Sequence, residues 1–192
     1  QNQQQQIVKV IKPIEVLFEG VDLSTYFHKQ VSKSEDILKD VSESNAFLFV
    51  GHWLPGALGQ DRKDVGMMIY TFIDTFKQLP VSNKEQPALV LKTSGGTYGP
   101  VDLHSIESRL TDIRNMFSKA YQLPNIYVIH GDLTSEEMNT LYNSPKVIGH
   151  ISFTKGEGYG RPLAEASLSK KPILVSNWSG LVDFCKYVVF LP

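Results

Sequence analysis

Short unbroken apolar runs recur along the chain: AFLFVG at 46–51, then PALVLK, IYVIHG, KVIGHISF, KPILVSN and YVVFL. Each is rich in β-branched or aromatic residues and bounded by glycine, proline or polar residues, the form of a buried strand. A different spacing fills the gaps. DVGMMIYTFIDTFKQL places Val65, Met68, Ile69, Phe72, Ile73 and Phe76 at three- and four-residue steps, and HSIESRLTDIRNMFSKAYQL does the same with Ile106, Leu110, Ile113, Met116, Phe117 and Ala120. LTSEEMNTLYNSP opens on a Ser/Thr cap with Glu136 and Glu137 in its first turn, and RPLAEASLSK and SGLVDFCK read as further helices. Strands alternating with helices predict an α/β fold, a Rossmann-like parallel sheet with helices on both faces.

The intervening stretches are polar. Residues 1–15, opening on QNQQQQ, read as a tail or interdomain linker, and residues 16–192 as one domain. TYGPVDLHS at 97–105 reads as a loop and DILKDVSE as a short surface helix. An apolar strand at the very end, YVVFLP, is an unusual place for a domain to stop, so an excerpt of a longer protein is expected.

Composition narrows the partners. The 192 residues are 42% hydrophobic and 20% charged, enough for one core, and 19 basic against 20 acidic side chains give a net charge of −1. That balance does not point to nucleic acid or a membrane, so an anion site would have to be local. The single cysteine, Cys185, lies among apolar neighbours and reads as a buried thiol, and Met67 and Met68 read as core packing. With no membrane-spanning stretch and no secretory pattern, a cytoplasmic place is expected, or the periphery of a membrane for a longer chain.

Candidate chemistry concentrates in KGEGYGRPLAEASLSKKPILVSNWSG, residues 155–180. Gly156, Gly158 and Gly160 permit close backbone approach, and Pro162 suits a first helical position, so a helix starting near Arg161 would present amides to a phosphate. Glu165 falls one turn inside that helix, where a carboxylate can accept both hydrogens of a vicinal diol. Local physics alone leaves open that Glu157 is a solvated loop residue and Glu165 a helix stabiliser. Lys92, Thr93 and Ser94 end the second strand, at the edge where such sheets bind ligands, and Ser179 and Gly180 could lend amides from the next loop. His130, at another strand end, reads as structural or base-facing.

The 155–180 segment resembles the E-x7-E signature of family 4 retaining glycosyltransferases, a pattern close to EGFGLPLLEA followed by a strand and a second glycine loop. VLFEGVDLSTYF at 16–27, VGHWLPGALGQDRKDVGMMIYTF and IYVIHGDLTSEEMNTLYNSPKVIGHISF resemble further parts of that family. The resemblance implies the C-terminal half of a two-domain GT-B enzyme, which holds a nucleoside-diphosphate sugar while a missing N-terminal domain holds a glycan, lipid or protein acceptor. It implies that Glu165 bonds the donor ribose and that Glu157 lies near the reacting carbon. Gly158, Tyr159, Gly160, Arg161, Pro162 and Leu163 would meet the diphosphate or sugar. Arg62 and Lys63 match the family's basic pair, which stabilises the leaving group, with an ordinary solvated loop as the alternative. His52 stands where the family commonly has arginine. No metal and no other cofactor is expected. A fold reused without catalysis is the competing class, and a nicotinamide enzyme fits less well because no G-x-G-x-x-G follows the first strand.

Overall fold

The computed structural model describes residues 11–79 and 86–185, with the backbone of 190–191. Six strands form one sheet: β1 (Ala46–Val50), β2 (Ala88–Lys92), β3 (Ile126–Ile129), β4 (Val147–Ser152), β5 (Ile173–Ser176) and β6 (Phe190–Leu191). All neighbours pair in parallel, in the order β3-β2-β1-β4-β5-β6. Four helices connect them: α1 (Val65–Phe76), α2 (Pro100–Asn115), α3 (Ser135–Asn143) and α4 (Arg161–Ser167).

Alternation within the strands builds two cores. Phe47, Phe49, Leu89, Leu91 and Ile151 point to one face, where α1 and α2 bury Val65, Met68, Ile69, Phe72, Ile73, Ile106 and Ile113. Ala46, Leu48, Ala88, Val90 and Val147 point to the other, against Leu141, Tyr142 and Ala166 of α3 and α4. Strands buried on both faces have no polar alternation to show, which is why they appear in the sequence as continuous apolar runs. The expected α/β Rossmann-like sheet is the observed fold.

Four segments depart from expectation. The TYGPVDLHS stretch is not all loop: α2 begins at Pro100, with Asp102 in its first turn. That helix also ends earlier than its apolar spacing implied, since Ala120 lies exposed beyond it and Met116 is its C-cap. DILKDVSE forms turns instead of a surface helix, and Leu38 and Val41 are buried against β1 and α3 because they fill the second core. SGLVDFCK makes a 3₁₀ turn at Ser179–Asp183 rather than an α-helix. Residues 11–20 are exposed, and packing begins at Val21 and Tyr26. The QNQQQQ stretch lies outside the described residues, as does part of YVVFLP.

Candidate functional site

The strand order reverses direction between β1 and β4, and in open parallel sheets that switch point leaves a crevice at the carboxyl ends of the strands. Two loops border it, one from β1 to α1 and one from β4 to α4. They are knitted together: Lys155 N–H and Thr154 Oγ1 both donate to the Arg62 carbonyl, at 2.8 and 3.2 Å. Lys155 Nζ donates to Asp64 Oδ1 at 3.0 Å. Asp64 itself adopts a left-handed backbone, φ 54°, as the N-cap of α1.

This knitting aims charge into a cavity of about 420 Å³. Lys63 Nζ forms an ion pair with Glu157 Oε2, their side chains only 12% and 16% exposed. Arg62 Nη1 donates to the Gly156 carbonyl at 2.6 Å and stands 3.7 Å from the same Glu157 oxygen. Residues 94 positions apart in sequence thus meet at one point. His52, Gly51 and Pro162 complete this half of the cavity, with His52 Nδ1 2.9 Å from Ser94 Oγ.

The cavity continues along the sheet to the ends of β2 and β3, where Lys92, Thr93, Tyr98, Asp132, Leu133 and Met138 line it. Lys92 is buried, donates to the Gly131 carbonyl at 2.7 Å, and lies 5.2 Å from the Tyr98 ring centre. Burial pulls its pKa below the ordinary lysine value, opposed by the charge of Asp132. His130 bonds Asp102 Oδ2 at 2.9 Å and packs edge-on against Tyr98. That bond is the chief cause holding Asp102 below the usual carboxylate range, followed by the Gly95 N–H donated to it.

Glu165 lies apart from Glu157. It is buried, with Oε1 accepting from Arg161 Nε at 2.9 Å and Oε2 from the Tyr142 hydroxyl at 3.0 Å. Together with Arg161 it faces a separate depression bounded by Glu19, Asp22 and Tyr26. The two glutamates therefore open into depressions that both border α4, one through Pro162 and the other through Arg161.

Several expected amide donors are already spent. Gly180 N–H donates to the Glu157 carbonyl at 3.0 Å, and Ser179 Oγ both donates to that carbonyl and accepts from Glu157 N–H. The Ser179 hydroxyl and the Gly180 N–H grip the Glu157 peptide, so the Gly180 amide expected to face a donor is turned to Glu157 instead. Leu163 N–H likewise donates to the Gly160 carbonyl, and its side chain is buried with Leu181 and Val175. Tyr159 packs on Phe184, Gly160 holds φ 91° against Leu181, and the Gly158 carbonyl lies where a Cβ on Gly180 would fall. Tyr98 and Asp132 escaped the sequence reading. A bulky aromatic isolated among the glycines of SGGTYG was the available signal for the first.

No family model matches the sequence, and no curated protein matches it either. Solved structures do. One is the C-terminal domain of a group 1 glycosyl transferase family protein, LpcC, from Francisella tularensis: TM-score 0.60, 17% identity, covering 88% of this chain and 75% of that one. A second is α,α-trehalose 6-phosphate synthase from Burkholderia multivorans: TM-score 0.60, 12% identity, 81% of this chain and 33% of that. A third is HepE of Anabaena, solved with UDP-glucose: TM-score 0.54, 16% identity, 88% of this chain and 40% of that. The chain spans about a third of the longer of these proteins, and its fold is that of the C-terminal domain of GT-B glycosyltransferases.

Proposed function

We propose that this chain is the donor-binding half of a retaining glycosyltransferase of family 4. It would hold a nucleoside-diphosphate sugar for transfer to a glycan, lipid or protein acceptor carried by an N-terminal domain. The observation that carries the reading is the convergence of Arg62, Lys63 and Glu157, from two loops, into one cavity at the switch point.

The chemistry fits that cluster. When the bond from the sugar's anomeric carbon to the diphosphate breaks, the electron pair stays on the phosphate oxygen. Cations fixed beside that oxygen stabilise the transition state more than the ground state. Lys63 and Arg62 take this role, and no metal ion is needed in it. Glu157, beside both, lies where the transferred sugar meets the leaving group. In the unliganded chain Lys63 is held by Glu157, so a bound diphosphate competes with the carboxylate for the ammonium. Glu165, turned to the other depression, is assigned to the ribose diol, its hydrogen bonds to Arg161 and Tyr142 fixing its oxygens. Two proteins of the same fold, HepE and the E. coli trehalose 6-phosphate enzyme, were solved with UDP-glucose and UDP-2-fluoroglucose, which supports this donor class.

Calorimetric titration with nucleoside diphosphates and their sugar conjugates, in EDTA, tests the reading. One or more should bind, and Lys63→Ala should weaken binding about tenfold, the worth of a charge-assisted hydrogen bond. No binding at millimolar concentration would overturn it.

A further inference from the structure

Of the two tryptophans, Trp53 is buried and covered by the Arg109 guanidinium at 4.2 Å, while Trp178 stands 55% exposed on the turn after β5. That turn leaves the carboxyl end of the sheet, the edge on which the Glu157 crevice opens. Exposure alone says little, since single apolar residues are common on surfaces. The mounting of the ring says more.

Trp178 sits between two anchors, both on the loop that carries Glu157. Before it, Ser176 Oγ donates to the Thr154 carbonyl at 2.9 Å. After it, Ser179 Oγ donates to the Glu157 carbonyl at 2.7 Å and accepts from Glu157 N–H at 3.0 Å. Trp178 N–H donates back to the Ser176 carbonyl at 2.9 Å, and Leu181, just beyond, is fully buried. The backbone under the indole therefore has little freedom left to lose when a ligand settles on it. Consecutive α-carbons lie about 3.8 Å apart, so the indole springs from one residue beyond a direct contact with the Glu157 peptide. It does not line the cavity of Lys63, Glu157 and Lys92, and what it meets lies outside that cavity.

Building on the donor-binding reading above, we infer that Trp178 is a stacking platform for a sugar ring of the acceptor, which makes the acceptor a glycan. A pyranose has a face of C–H groups rimmed by hydroxyls. The flat indole covers the face, and the amide of Asn177, exposed beside it, offers the rim both donors and an acceptor. An acyl chain is suited instead by an apolar groove, and the one lined by Phe47, Phe72, Ile151 and Phe153 lies elsewhere, between α1 and β4. A protein partner needs about 800 Å² on each side, several times the roughly 150 to 250 Å² that one aromatic side chain buries.

Trp178 is its own reporter, because the other tryptophan is shielded from solvent. Cellotriose, lactose and mannotriose are the probes, titrated into the 192-residue chain. At least one should shift the tryptophan emission to shorter wavelength, while glycerol, with hydroxyls but no ring face, does not. By ligand-observed NMR, Trp178→Ala should weaken that sugar about tenfold and Trp178→Phe by about threefold or less. The thermal midpoint should stay in place, as for any exposed side chain. Failure of all three sugars at tens of millimolar, or equal binding by Trp178→Ala, overturns the inference. So does a Trp178→Ala chain that loses the affinity gained by UDP-glucose over UDP, which would put the donor's own sugar on the ring. Pyrophosphate separates the two readings. If it binds native chain and Trp178→Ala alike while the sugars fail, this inference falls alone; if neither it nor any nucleotide binds, the donor reading fails and the acceptor role falls with it.

Discussion

Glu157 is held at both ends, its peptide gripped by Ser179 and Gly180 and its carboxylate by Lys63 and Arg62. Ser179 pays for its part with a left-handed backbone, φ 64°, which a non-glycine residue keeps only when its surroundings impose it. The pairing makes a test available. Glu157→Gln removes the internal competitor for Lys63, so pyrophosphate should bind about two- to fivefold tighter by titration, the worth of one partly exposed ion pair. Weaker binding would mean that Glu157 organises the cations instead of competing for them. At this scale the sequence disclosed the acids and the basic pair through their motifs. It did not disclose that Ser179 and Gly180 serve Glu157, because a contact across 22 residues depends on how the loops after β4 and β5 fold back on each other.

Whole elements were easier to read where one signal dominated. In α3 the Thr134 side chain accepts from Glu137 N–H while the Glu137 carboxylate accepts from Thr134 N–H, a capping box visible as T-x-x-E. Thr134→Ala should cost about 1 kcal/mol in urea unfolding, with little change in nucleotide affinity. The start of α2 was hidden because Pro100 and Asp102, good first-turn residues, sit in a stretch too polar to show helical spacing. The turn after β5 was misread for the opposite reason: its apolar residues mimic a helix, yet Gly180 must approach another backbone. A Cβ there would lie 2.0 Å from the Gly158 carbonyl oxygen. Gly180→Ala therefore forces the Glu157 loop to move, and should lower stability by about 1 to 3 kcal/mol and weaken pyrophosphate binding in the same protein. Loss of stability with affinity intact would show that the loop's position does not matter to the anion site.

Across the molecule, the alternation of strand and helix was legible, because each buried strand is a continuous apolar run and each of the longer helices carries an apolar stripe. Strand order was not, and it alone decides that the β1 and β4 loops share a crevice. A buried titratable group inside this sheet links the fold to pH. His150, on β4, is 1% exposed, and burial together with the nearby Lys171 charge pulls it from 6.5 to about 3. The Ser169 hydroxyl donates to the Ala166 carbonyl, so its oxygen accepts from His150 Nε2–H, and the ring is built in as a neutral donor. The unfolded chain protonates this histidine near its ordinary value and the folded one does not, so between pH 6.5 and about 3 the unfolded state binds the extra proton. Stability from this group is complete above pH 6.5 and declines as pH falls through that window. The lowered carboxyl of Asp102 adds its own loss only below its ordinary 3.8, outside the range from pH 7 to pH 4. Thermal unfolding should show a midpoint that drops from pH 7 to pH 4. His150→Phe, which keeps a ring against Tyr142, should flatten that slope while lowering the midpoint at pH 7. An unchanged slope would place the acid sensitivity of the fold elsewhere.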